Sequence, residues 1–278
     1  MKNIIELLYK ITFYPLPYRV LFFKSLLKHS KWLPYSLRLE FDALVRPNYG
    51  FCIYNAAQLA KSLGIKRISI IEFGVAGGNG LINIEQHVKE VSKELGIEFE
   101  IYGFDMGSGL PEPQGFRDMP YMWEEGFYKM DLKLLKSRLK LSKLIIGDVK
   151  KTCTSFYDDY SPAPIGAVMF DLDYYSSTMD SFNIFNTNGS NYLPRVYCYF
   201  DDIASSGPRA MNNHVGVLSA IEDFNQINNA RKISIIEGLA TTRKIKSSWN
   251  NHIFVLHNFK HSEYETFIGN AHQSLDLI

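Results

Sequence analysis

From residue 51 onward, apolar runs of strand length alternate with stretches whose apolar positions recur every three or four residues, the pattern of strands feeding helices. Helical spacing covers residues 51–63, 79–95, 131–141, 177–185 and 215–227, and strand-like runs cover 67–73, 98–104, 144–147, 165–170, 195–200, 232–236 and 252–256. This alternation predicts an α/β fold built on a doubly wound, seven-stranded and mostly parallel sheet. The last two strands lie close in sequence with turn-like residues between them, so they are expected to pair as an antiparallel edge. Successive runs end in acids: Glu72, Asp105, Asp148, Asp171 and Asp202. In an open parallel sheet the ligand sits outside the carboxyl ends of the strands, so these acids are expected to line one crevice.

The first 50 residues break the pattern. They are aromatic, apolar and basic, with prolines at Pro15, Pro17 and Pro34, and they read as a helical extension of short segments ahead of a main domain over 51–278. Glu6, Lys10 and Arg19 interrupt the apolar run, and no small-residue cleavage site follows, which argues against a signal peptide or a membrane span. Packing over the main domain or against a twin subunit in a homodimer is the favoured use of this extension, ahead of a peripheral membrane contact.

Composition narrows the picture further. A chain of 278 residues that is 46% hydrophobic can bury a full core, and a formal charge of +1 gives no global footprint for nucleic acid. The cysteines Cys52, Cys153 and Cys198 are scattered without metal-ligand spacing, as expected of reduced thiols in a cytoplasmic protein.

The chemistry concentrates at two places. The first is the turn Glu72-Phe73-Gly74-Val75-Ala76-Gly77-Gly78-Asn79-Gly80, directly after a strand and before a helix. Glycines permit positive φ and let a ligand approach the backbone, while the helix N-terminus offers free N–H groups. A dinucleotide fingerprint would need glycine where Ala76 and Asn79 stand, and a Walker lysine is missing. An acid two residues before the first glycine suits S-adenosylmethionine instead, with Glu72 receiving the methionine ammonium directly or through water. Asp105 is then placed for the ribose hydroxyls and Asp148 for the adenine amine, although either could simply cap a helix. Tyr49 and Tyr54, before the first strand, are candidates for a lid over the cofactor, although aromatic side chains there are more often core.

The second place comprises Asp171-Leu172-Asp173 and Asp201-Asp202, at the ends of two strands expected to be neighbours. Carboxylates converging without a cationic partner in the same motifs repel strongly, and a bound cation removes that repulsion. All-oxygen ligands suit Mg²⁺ or Mn²⁺ rather than zinc.

Taken together, these motifs resemble the metal-dependent class I O-methyltransferases of the macrocin (macrolide-sugar) and aminocoumarin family. Glu72-Phe73-Gly74 with Gly77-Gly78 is similar to the family's first motif, and Asp105 with Gly109-Leu110-Pro111-Glu112-Pro113 to its second. The run from Asp171 through Tyr175 to Ser177-Thr178 is similar to its most specific signature, and Asp201-Asp202 to its later acidic pair. The resemblance spans residues 49–256. It implies a Rossmann-like methyltransferase fold, Mg²⁺ held by Asp171, Asp201 and Asp202, and Asp173 as general base, for which His214 is the competing candidate. It also implies an acceptor hydroxyl on a sugar, a sugar-containing small molecule or a glycan. The chain departs from the family at Leu172, Tyr174 and Ser176, where a small residue, a leucine or methionine, and often an acid are usual. Residues 186–195 also lack the Gly-Gly that usually precedes the fifth strand.

Two rival readings stand beside this one. A metal-dependent glycosyltransferase would use Asp171 and Asp173 for a cation and a nucleotide diphosphate, but it leaves the glycine turn and Asp201-Asp202 idle. A non-catalytic methyltransferase-like scaffold would have no need of the full set of acids.

Overall fold

A computed structural model describes residues 18–30, 32–187, 189–204 and 209–269. Residues 1–17, which carry much of the expected dimer or membrane contact, lie outside them. The sheet strands are β1 (Arg67–Phe73), β2 (Glu98–Asp105), β3 (Ser142–Ile146), β4 (Ile165–Phe170), β5 (Tyr192–Phe200), β6 (Arg231–Ile235) and β7 (Ile253–Asn258). The helices are α1 (Tyr18–His29), α2 (Tyr35–Glu40), α3 (Pro47–Ser62), α4 (Asn79–Leu95), α5 (Leu132–Arg138), α6 (Val149–Tyr160), α7 (Tyr175–Ser181), α8 (Gly216–Ile227) and α9 (Leu239–Thr242).

Seven strands form one sheet in the order β3-β2-β1-β4-β5-β7-β6, parallel from β3 through β5. The expected antiparallel pair is present, with β7 inserted between β5 and β6 so that β6 alone forms that edge. β1 and β4 carry continuous Ile, Val and Met runs and are buried along almost their whole length, as central parallel strands covered on both faces must be. Helix α4 buries Leu81, Ile84, Val88 and Val91, spaced three or four residues apart, against one face of the sheet.

Two differences from the sequence reading have clear causes. Sequence periodicity assigned nothing to 149–160, where α6 stands. Its buried face is carried by Cys153 and Phe156 within an otherwise polar stretch, and Asp148 starts it by accepting from Lys150 N–H at 3.0 Å. The boundary expected at residue 50 falls inside α3, which starts at Pro47 behind Arg46 and packs into the main core through Ile53, Ala56 and Ala57.

One structural device levels the strand ends. Phe104, Phe73, Phe170 and Phe200 sit at the same register across β2, β1, β4 and β5. Their rings form a row, with centroids 4.8 Å apart for Phe73–Phe104, 5.5 Å for Phe73–Phe170 and 4.6 Å for Phe170–Phe200. Such aligned cross-strand aromatic pairs fix register. The residue after each phenylalanine, namely Asp105, Gly74, Asp171 or Asp201, is therefore delivered to one level at the mouth of the sheet.

Candidate functional site

Above that aromatic row lies a cavity of about 420 Å³, lined by Gly74, Asp105, Asp148, Asp171, Asp173, Asp201 and Asp202 among others. On the β1–β3 side, Gly74 adopts φ +81°, and a Cβ there would stand 1.7 Å from the Asp171 carbonyl oxygen. The turn can therefore pass over the end of β4 only with glycine at this position. Gly78, also at positive φ, provides the N-cap of α4. Asp105 holds the turn from beneath: its Oδ2 accepts from the N–H groups of Val75 and Ala76 at 2.9 and 2.8 Å, and its Oδ1 from Gly107 N–H at 2.6 Å. Asp148 both caps α6 and faces the cavity, so the capping use and the ligand-facing position coexist in one residue.

Glu72 and Tyr49 are placed differently from expectation. Glu72 is buried beneath the turn rather than lining the cavity, and the missing side chain of Gly80 makes room for it, since a Cβ there would lie 1.8 Å from Glu72 Oε1. The Tyr49 hydroxyl donates to Oε1 at 2.9 Å, while Oε2 is buried without a hydrogen-bond partner. Burial raises the Glu72 carboxyl to about 8 in spite of that bond and the nearby Arg46. Tyr49 is no lid: its ring is fully buried, with the Arg46 guanidinium 5.1 Å from its centroid and the Tyr199 ring 5.4 Å away.

On the β4–β5 side, Asp171, Asp201 and Asp202 each offer a carboxylate oxygen, all within 4.8 Å of one another. The Asp171 and Asp201 backbones are tied into the sheet by Asp171 N–H to Phe73 O at 2.9 Å and Asp201 N–H to Phe170 O at 3.0 Å. Asp173 turns back toward them through a left-handed conformation, φ +58°, so that its N–H donates to Asp202 Oδ2 at 3.2 Å. Burial and then the neighbouring carboxylates raise Asp171, and the same causes raise Asp173 and Asp202 above the ordinary carboxylate range. Among the described residues, Arg209 is the one cationic side chain lining the cavity, 3.5 Å from Asp202 Oδ1. Three carboxylates converging at this spacing, with so little compensating charge, match the donor set of a hard divalent cation. His214 is exposed and outside the cavity lining, with its backbone N–H bonded to Asn212 Oδ1 at 2.8 Å. Asp173 thus remains the base candidate in position.

Residues beyond the sequence reading complete the site. Asp118, buried in the loop after β2, accepts from Ser176 N–H at 2.8 Å and from Ser176 Oγ at 2.7 Å. This pairing explains the serine at 176, because an acid there would face Asp118. Tyr174 is likewise explained: its ring is buried with Met119 and Trp123 of the same loop. The loop is further clamped by Arg117, which pairs with Asp223 at 2.6 Å and lies 3.6 Å from the centroid of Tyr175. Loop residues paired only through tertiary contacts leave no local sequence signal. Tyr199, by contrast, was legible as a neighbour of Asp201 two positions along a strand and therefore on the same face.

No protein-family model and no curated protein sequence matches this chain. Among solved structures, the calicheamicin methyltransferase CalS11 aligns over 91% of this chain and 90% of its own, at 19% identity and a TM-score of 0.50. The O-methyltransferase NovP aligns over 76% of this chain and 80% of its own, at 12% identity and a TM-score of 0.52. The fold is the Rossmann-like methyltransferase fold. Within that fold the glycine turn, Asp105 and Asp148 stand on the β1–β3 side, and the carboxylate cluster stands on the β4–β5 side. Among the described residues, no helix is long and apolar enough to cross a membrane.

Proposed function

We propose that this protein is a metal-dependent O-methyltransferase that moves the methyl group of S-adenosylmethionine to a hydroxyl of a sugar, a sugar-containing small molecule or a glycan. The observation that carries this reading is the opening of the glycine turn and the Asp171, Asp201, Asp202 cluster into one cavity. The names of two proteins that share the fold, a calicheamicin methyltransferase and an O-methyltransferase, support it.

Each residue then has a task. Asp105 and Asp148 receive the ribose hydroxyls and the adenine amine, and Phe104, Met106 and Val149 of the cavity wall supply apolar surface for the ring. Glu72, behind the turn, would supply negative charge near the ammonium once it ionises, above about pH 8. Asp171, Asp201 and Asp202 would hold Mg²⁺ or Mn²⁺, which when bound supplies Lewis acidity and a template for the acceptor oxygen. Methyl transfer is an in-line displacement, so the cavity walls must orient an oxygen lone pair toward the methyl carbon. Asp173, buried and adjacent to the cluster, takes the hydroxyl proton.

Calorimetric titration of S-adenosylhomocysteine, with Mg²⁺ and with chelator, tests this. Binding to intact protein is expected, lost in Asp105→Ala and kept in Asp201→Ala, with circular dichroism confirming that both variants fold. If intact protein binds no S-adenosylhomocysteine but does bind a nucleotide sugar, the methyltransferase reading falls and the glycosyltransferase takes its place.

A further inference from the structure

The residues that face the cavity are held from behind by a layer that no role yet covers. On the sheet face under α3, two successive residues of its first turn reach the two halves of the site. Tyr49 donates to Glu72, as described above. Asn48, buried beside it, lies against the hydroxyl of Tyr199, and that hydroxyl donates to Asp201 Oδ1 at 2.5 Å. The Tyr199 ring has little freedom to leave. It lies between the ring of Tyr49, 5.4 Å away, and that of His252, stacked at 5.8 Å and 22°. His252 is itself pinned by Nδ1 donating to the Phe200 carbonyl at 2.7 Å.

We infer that Tyr199 is a positioning residue for the cation site, with Asn48 setting the direction of its hydroxyl. A carboxylate following a strand end can rotate about two torsions, and three acids meeting at one point repel one another into other rotamers. A phenol proton on Oδ1 fixes the Asp201 carboxylate and disperses part of its charge, holding it beside Asp171 and Asp202. With the Asn48 amide beside the phenol oxygen, the phenol proton is directed to Asp201. This is the outer-layer support that metal sites use to orient their ligands. The inference rests on the reading of Asp171, Asp201 and Asp202 as cation ligands.

The test is Mn²⁺ binding to the full chain, followed by calorimetry and by the electron paramagnetic resonance line shape of the bound ion, in wild type, Tyr199→Phe, Asn48→Ala and Asp201→Ala. Tyr199→Phe is expected to weaken Mn²⁺ by about 10-fold or more and to change the line shape at saturation, with S-adenosylhomocysteine affinity in chelator within about twofold of wild type. Asn48→Ala, which frees the phenol proton to turn, is expected to weaken Mn²⁺ by roughly threefold, and it carries the test if Tyr199→Phe does not fold. Wild-type Mn²⁺ affinity in both variants, together with loss in Asp201→Ala, would overturn the positioning role while leaving the ligand reading intact. Absence of Mn²⁺ binding to wild type would overturn the ligand reading and the positioning role with it.

Discussion

Asp105 and Asp171 each follow a phenylalanine at the same register, on the two parallel strands that flank β1, yet their surroundings are opposite. Asp105 is enclosed by three backbone N–H groups, from Val75, Ala76 and Gly107, so the chain itself neutralises and orients it. Asp171 faces Asp201, Asp202, Glu72 and Asp173, all of the same sign, and its carboxyl is raised as a result of burial and that repulsion. Backbone geometry alone completes the β1–β3 half. The β4–β5 half keeps an electrostatic debt that a cation would settle, which is why equal positions on one sheet support two different chemistries.

The sharpest way to exploit this contrast is Asp173→Asn. Asparagine tolerates the left-handed φ of +58° and keeps the shape of the side chain, so the fold is retained while the proton acceptor is lost. A fall in kcat of about 10²–10⁴-fold is expected, with affinity for S-adenosylhomocysteine unchanged within about twofold, because the affected group belongs to the β4–β5 half alone. A methyl-transfer assay paired with calorimetry reads both numbers. An unchanged kcat would remove Asp173 as the base, and a collapsed cofactor affinity would mean that the halves are not separable.

A second substitution breaks the contrast where the halves touch. In Gly74→Ala the added carbon meets the Asp171 carbonyl at 1.7 Å and a φ of +81°, and the neighbour it meets is backbone that cannot swing aside. We expect about 3–4 kcal/mol of destabilisation in urea unfolding, with loss of both cofactor and cation binding. Gly77→Ala in the same turn meets open space and should cost within about 0.5 kcal/mol. Equal costs at the two positions would mean that the turn moves freely over β4.

Much of this was legible beforehand. Strands and helices followed from apolar period, and the acids at strand ends followed from the rule that parallel sheets bind ligands at their carboxyl edge. Helix α6 escaped because its buried stripe is narrow, with Cys153 and Phe156 set among lysines and aspartates. Tyr49 is ambiguous in sequence because an aromatic before the first strand has no feature that tells a cavity wall from a core position. His214 lies near Asp202 in sequence but not at the cavity, since the chain leaves the strand end before α8 begins. The departures at Tyr174 and Ser176 became intelligible only with their partners Met119, Trp123 and Asp118, which lie more than fifty residues away in the chain. The aromatic row was in plain view as a phenylalanine before Gly74, Asp105, Asp171 and Asp201, but its meaning depends on strand register, which sequence spacing does not carry.

Glu72 is the exception inside the β1–β3 half, and it gives the smallest and most discriminating test. It is a buried acid with an unpartnered Oε2, and its carboxyl sits at about 8 in the folded chain against an ordinary 4.5. The folded state therefore keeps a proton that the unfolded chain releases, so this group's contribution is fully present below pH 4.5 and is lost as pH rises to about 8. At 1.36 kcal/mol per pH unit the ceiling is roughly 5 kcal/mol, and structural relaxation brings the expectation to about 3 kcal/mol. Glu72→Gln keeps an acceptor for the Tyr49 hydroxyl and removes the ionisation. In urea unfolding with chelator and without cofactor, the variant should match wild type at pH 4.5 and exceed it by about 3 kcal/mol at pH 8. Above pH 8, where Glu72 is ionised in folded wild type, the variant's affinity for S-adenosylhomocysteine should fall by about tenfold, since the ammonium loses its nearby negative charge. A stability gap that is the same at both pH values would show that Glu72 is already ionised in the folded protein, and that the β1–β3 half is compensated at this position as it is at Asp105.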